Sequence, residues 1–182
     1  MIFTPLPISG AFQIEMEPRT DPRGSFARMF CAEEFAAHGL NANWVQMNAS
    51  VTLEKGTLRG LHFQNQPKPE AKLIRCIKGA IHDVVVDFRA GSPTFGEHCT
   101  LELSDVNRTM IYIPKGCAHG FQTLRSDTEL LYAHSEYYSP ECESGVHFAD
   151  PDLAIHWPLK PIGLSDRDTS FSSFAQLEPI QL

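Results

Sequence analysis

The sequence lacks any apolar run approaching the roughly 20 residues that span a bilayer. Its first ten residues, Met1 to Gly10, carry no Lys or Arg of the kind that opens a secretion signal. Both absences lead us to expect a cytoplasmic protein that does not enter a membrane. Positive charge is scarce: 15 Lys and Arg stand against 22 Asp and Glu, for a formal charge of -7. Such a surface repels nucleic-acid phosphates and anionic lipid, so any phosphate ligand has to be met by a local basic pocket. The five cysteines, Cys31, Cys76, Cys99, Cys117 and Cys142, never form a C-x-x-C pair. Their odd number and wide spacing argue against a disulfide framework and for buried free thiols. Repeats and low-complexity tracts are missing too, and the 13 Pro and 12 Gly punctuate the chain at short intervals rather than gathering in a linker.

What is present suffices for one core. The 182 residues are 42% hydrophobic and include 12 Phe, enough apolar surface in a chain of single-domain length to offset the entropy of ordering it. We expect one domain over residues 1–182, with a core barrel at about 25–157 and a C-terminal return segment at 158–182 that packs across the barrel. One brief helix is predicted at 32–38, ending at Gly39. Strands are predicted at 25–30, 44–51, 57–63, 73–77, 80–88, 99–103, 109–113 and 129–135, a spacing that suits an all-β sandwich or barrel of the jelly-roll kind. Alternation in 81–87 puts Asp83, Val85 and Asp87 on one face and His82, Val84 and Val86 on the other.

Three clusters carry chemistry. In Thr57 to Gln64, strict alternation groups Leu58, Gly60, His62 and Gln64 on one face and Arg59, Leu61 and Phe63 on the other, with Gly60 leaving space beside His62. The run from Ile113 to Phe121 contains P-x-G-x-x-H, in which a tight turn delivers His119 to the start of a strand. This pattern resembles the second motif of cupins, small jelly-roll barrels. The third cluster, Glu129 to Tyr138, separates Tyr132 from Leu131 and Ala133, so the ring can face a cavity while its neighbours pack outward. Beginning another strand, Lys72 sits where a carboxylate such as Asp83 could hold it toward a developing oxyanion.

These residues leave several readings open. His62 is a half-buried imidazole satisfied by a backbone carbonyl, a general base, or a metal ligand together with His119 and Glu70. Gln64 stands where metal-binding cupins have a second His, which favours the metal-free reading. Tyr132 is a proton donor or a core phenol with a polar partner.

Taken together, the blocks Asp21-Pro22-Arg23-Gly24, Leu58 to Gln64, Lys72 to Arg75, Asp83 to Arg89, Ser92 to Gly96, Ile113 to Phe121, Leu131-Tyr132, Tyr137 to Pro140 and Ile155 to Pro158 resemble the dTDP-4-dehydrorhamnose 3,5-epimerase family over about residues 19–168. The resemblance implies a cupin barrel that uses no metal or other cofactor, usually a homodimer with exchanged strands. It implies as substrate a nucleotide diphosphate 4-keto-6-deoxyhexose, on the way to a polysaccharide or related glycoconjugate. By motif position it makes His62 the proton-abstracting base, Asp168 the carboxylate that orients it and Tyr132 the opposing acid. Lys72 and His119 become substrate contacts, Arg23 and Arg59 lie near the diphosphate, and Tyr138 is the ring on which the base stacks. Gln46, Asn48, Glu143 and Arg167 complete the expected binding set, with Asp83 in support. The chain departs from the family pattern at Arg28, where a Glu is usual, at Met47, usually acidic, at Ala49, usually His, and at Arg167, usually Lys. A single-centre epimerase, a CDP- or GDP-sugar enzyme, a metallo-cupin and a non-catalytic binding barrel are the alternatives.

Overall fold

A computed structural model describes residues 1–182. In chain order the elements are β1 (Ile2–Pro5), β2 (Phe12–Glu15), β3 (Arg19–Asp21), β4 (Gly24–Phe26), α1 (Ala32–Ala37), β5 (Gln46–Thr52), β6 (Leu58–Gln64), β7 (Lys72–Lys78), β8 (Ala80–Asp87), β9 (His98–Ser104), β10 (Met110–Ile113), β11 (Cys117–Thr123), β12 (Thr128–His134), β13 (Glu143–Gly145) and α2 (Asp166–Ser170), followed by a short 3-10 turn. A six-stranded sheet runs β1-β2-β10-β7-β12-β5 and a five-stranded sheet runs β13-β6-β11-β8-β9, with β3 and β4 forming a separate ribbon. Every pair of strands is antiparallel, and the two facing sheets make an all-β jelly roll of the cupin type.

Alternation explains how the sheets share their residues. Ile74 and Cys76 of β7, Ile81 and Val85 of β8, Ile111 of β10, Phe121 of β11 and Leu130 of β12 meet between the sheets. Val84 and Val86 face the other way, into a second cluster covered by the C-terminal segment through Leu153, Trp157 and Ile180. The outer face of the larger sheet, including Ile14, Leu73 and Ala133, is covered by α1 through Phe35. All five cysteines are free, and burial pushes the Cys76 and Cys99 thiols up to about 11, as expected of unreactive packing groups. No helix is long and apolar enough to cross a membrane.

Strand β6 departs from the predicted alternation at a place that matters. His62 pairs with His119 but Arg59 pairs with Phe121, so two residues of β6, Gly60 and Leu61, oppose one of β11, Gly120. The extra residue is a β-bulge, and it turns Arg59 and His62 toward the same side although they are an odd number apart. Gly60 does not open space beside His62, as the sequence suggested; it is where the two backbones close together. A Cβ there would lie 2.5 Å from Gly120 Cα, and its φ of +123° belongs to glycine.

Candidate active site

The barrel mouth holds a cavity of about 640 Å³ between the two sheets. Arg59 and His62 of β6 and His119 of β11 come from the five-stranded wall, and Asn48, Ser50, Lys72, Tyr132 and His134 from the six-stranded wall. Tyr138, Glu143 and Arg167 stand at its rim. His62 and Tyr132 therefore belong to opposite walls.

His62 Nε2 lies 2.8 Å from Asp168 Oδ1, across 106 residues of sequence. The other Asp168 oxygen accepts the Gly60 N–H at 3.1 Å, and Ser165 caps α2 by accepting the Asp168 N–H at 3.1 Å. Burial pushes the Asp168 pKa up, but the hydrogen bonds from His62 and Gly60 outweigh it and hold the carboxyl down at about 2. An ionised carboxylate only accepts, so the His62 proton resides on Nε2 and the Nδ1 lone pair is free to act as a base. Arg167 Nη2, 3.3 Å from Nε2, is a second donor facing an N–H. It adds positive charge to the dyad without a hydrogen bond to the ring.

The depressed pKa has a thermodynamic consequence. Asp168 contributes stability that is present above the ordinary carboxylate pKa of about 4 and is lost as pH falls through the folded value. The stability gap between wild type and Asp168→Asn should narrow as pH is lowered from about 5 to about 2. Chemical unfolding across that range measures it, and a gap independent of pH would show that the carboxyl is not specially stabilised by folding.

Tyr132 stands on the other wall. Tyr132 Oη is 3.0 Å from Ser50 Oγ, and desolvation pushes the phenol well above its ordinary pKa, so it stays protonated until a strong base develops beside it. Leu131 and Ala133 pack outward, as alternation predicted.

Lys72 Nζ lies 3.2 Å from Glu70 Oε1 and 3.5 Å from the His62 carbonyl oxygen. The carboxylate that holds it is thus Glu70, not Asp83 as the sequence suggested. Asp83 is fully buried and takes His119 Nε2 at 2.8 Å, giving a second imidazole–carboxylate dyad beside the first. Burial pushes Glu70 up, but the charge of Lys72 and the bond to His134 hold its carboxyl below the ordinary range. The structure does not bring His62, His119 and Glu70 together as one ligand set: no three His, Cys, Asp or Glu residues group as metal ligands.

At the rim, Glu143 accepts Arg167 at 2.6 Å and the Tyr138 hydroxyl at 2.9 Å, while Gln46 Oε1 accepts the Tyr138 N–H at 3.0 Å. Gln46 shapes the site from behind rather than lining it. Arg59 lines the cavity, with Nε donating to Thr52 at 3.2 Å. Arg23 is not brought to this cavity. It lies at the turn of the β3–β4 ribbon, which pairs with neither sheet, its side chain 90% exposed and paired with Asp21 at 2.6 Å. Two wall residues escaped the sequence reading, Ser50 and His134. Counting by twos from Asn48 and from Tyr132 finds both, since each shares a face with its already noted neighbour.

The family described as dTDP-4-dehydrorhamnose 3,5-epimerase matches residues 5–176. A dTDP-4-dehydrorhamnose 3,5-epimerase of Methanothermobacter thermautotrophicus is 42% identical, the match covering 96% of this chain and 95% of that protein. A dTDP-4-dehydrorhamnose 3-epimerase of Streptomyces niveus is 43% identical over 92% of this chain and 81% of its own length. The crystal structure of a Legionella pneumophila dTDP-6-deoxy-D-glucose-3,5-epimerase in complex with dTDP-4-keto-L-rhamnose superposes with a TM-score of 0.91 at 37% identity, covering 97% of this chain and 94% of that one. With near-complete coverage in sequence and in structure, the chain belongs to the dTDP-4-dehydrorhamnose 3,5-epimerase family.

Proposed function

We propose that this protein is an isomerase that inverts C3, C5 or both of a dTDP-linked 4-keto-6-deoxyhexose, with His62 and Tyr132 working from opposite faces of the sugar ring. The observation that carries the reading is their placement on opposite sheets across one cavity. A hydrogen on carbon next to a ketone becomes removable only when the enolate oxygen is stabilised, so the reaction needs a base, an oxyanion donor and an acid on the far face. His62 Nδ1 takes the proton from carbon, the Lys72 ammonium meets the charge that develops on the C4 oxygen, and the Tyr132 hydroxyl delivers a proton to the other face. His62 ends protonated and Tyr132 as phenolate; exchange with solvent restores both. The carbon skeleton undergoes no net oxidation, so these groups complete the proton balance by themselves.

Arg59 suits the diphosphate, since a planar guanidinium fork matches phosphate oxygens. Tyr138 at the rim offers a ring for the nucleobase, and Arg167 adds charge beside it. Arg23 and the 77%-exposed Phe26 lie on the projecting ribbon, which in a strand-exchanged homodimer would reach the partner's cavity. We place the protein in the cytoplasm, acting on a nucleotide-linked sugar.

The test is incubation in deuterated buffer with a panel of 4-keto-6-deoxyhexoses linked to dTDP, CDP and GDP, read by NMR. Deuterium at C3 and C5 of the dTDP compound with inversion at both is the expected outcome. Label at C3 alone establishes the single-centre reading, which the 43%-identical 3-epimerase keeps open. Exchange with no member of the panel rejects the enzyme reading in favour of a binding barrel.

A further inference from the structure

The hydrogen bonds along the six-stranded wall run in one direction. The Tyr138 N–H occupies Gln46 Oε1, so the Gln46 amide nitrogen is the atom that donates to Asn48 Oδ1, 3.3 Å away. Asn48 must then turn its own NH2 group to His134 Nε2 at 3.3 Å, which makes that ring nitrogen an acceptor and leaves the proton on Nδ1. Nδ1 is 2.7 Å from Glu70 Oε2, while Glu70 Oε1 takes Lys72. The file of polar groups thus ends on the ammonium, and nothing in the epimerisation as described requires His134.

We propose that His134 is a positioning residue for Lys72, acting through Glu70 to hold the ammonium where the enolate oxygen forms. This rests on the reading of Lys72 as the oxyanion group. A lysine ammonium on a flexible four-carbon stem is poorly fixed by one contact. A carboxylate bonded at a single oxygen can still rotate, and a bond to its second oxygen pins it. Glu70 and Lys72 side chains are 9% and 8% exposed, so few water molecules are available to replace that bond. His134 also draws charge from Glu70, and a carboxylate that grips Lys72 less leaves more of its field for the enolate. Both effects act on the chemical step rather than on nucleotide binding.

The experiment measures kcat and KM with the dTDP-linked 4-keto sugar. His134→Ala should lower kcat about tenfold, the scale of one lost hydrogen bond to a charged group, with KM changed less than about twofold. His134→Asn should recover most of the loss, because its amide nitrogen falls where Nδ1 stands. In a Lys72→Ala background, His134→Ala should change nothing further, since a residue acting through Lys72 has nothing left to act on. An unchanged kcat in His134→Ala, or an equal loss in both backgrounds, overturns the role. If His134→Ala does not fold, Glu70→Gln carries the same comparison in the two backgrounds. Absence of solvent exchange in the wild type overturns the functional reading and this role with it. Wild-type exchange combined with equal losses overturns the role alone.

Discussion

In deuterated buffer a Tyr132→Phe variant should take up label at the sugar carbon next to the ketone and return it on the original face, so exchange persists while inversion is lost. The separation follows from the two-wall geometry. His62 Nδ1 removes the proton from its own face without help from the phenol, the imidazolium exchanges with solvent, and the same group gives a deuteron back. Inversion needs a donor on the other side, where the Tyr132 hydroxyl stands, kept protonated by desolvation. His62→Ala should instead lose exchange and inversion together, by ~10²–10⁴-fold, the usual contribution of a positioned base. The pair of variants is decisive because a single-wall mechanism makes the opposite forecast: with both groups on one face, removing the phenol would not separate exchange from inversion. Label uptake in His62→Ala at the wild-type rate would reject His62 as the base.

Lys72→Ala is the second large effect. Loss of one oxyanion donor typically costs ~10²–10³-fold in kcat, and here the donor is an ammonium lining the cavity, 3.5 Å from the His62 backbone carbonyl oxygen. Because the enolate charge appears only in the transition state, kcat and kcat/KM should fall together while KM stays near the wild-type value. Removing the ammonium also leaves Glu70 facing His134 without its main counter-charge, so the variant is best compared with Lys72→Ala/Glu70→Gln, which removes the stranded carboxylate. A loss in KM alone would make Lys72 a ground-state contact and return the oxyanion role to another group.

Most of the sheet framework was legible in the chain because half-buried antiparallel strands write a period of two into the sequence. The predicted segments at 73–77, 80–88 and 99–103 fall within a residue or so of β7, β8 and β9. Strands β1 and β2 carried no such signal, being four residues each, β1 mostly exposed and β2 mostly half-buried. Strand β11 was expected only as the strand opened by the turn before His119, without bounds: all seven of its residues are buried, so no polar face alternates with an apolar one. The segment predicted at 25–30 stops at Phe26 because β4 pairs only with β3, and three residues of exposed ribbon give nothing to extend against. In the site, a bulge defeats counting by twos: Arg59 and His62 share the cavity only because one extra residue is accommodated at Gly60, where the facing glycine lets two backbones approach.

The residue types in the cavity, the barrel that carries them and their periodicity can be read along the chain, because these are local properties of strands and turns. Which carboxylate serves which base was decided elsewhere. Asp168 reaches His62 from a helix 106 residues away, Glu70 rather than Asp83 takes Lys72, and Arg23 lies outside the cavity of its own chain. Such pairings depend on how two sheets and a returning C-terminal segment close around one volume, and no spacing along a strand encodes the distance between walls.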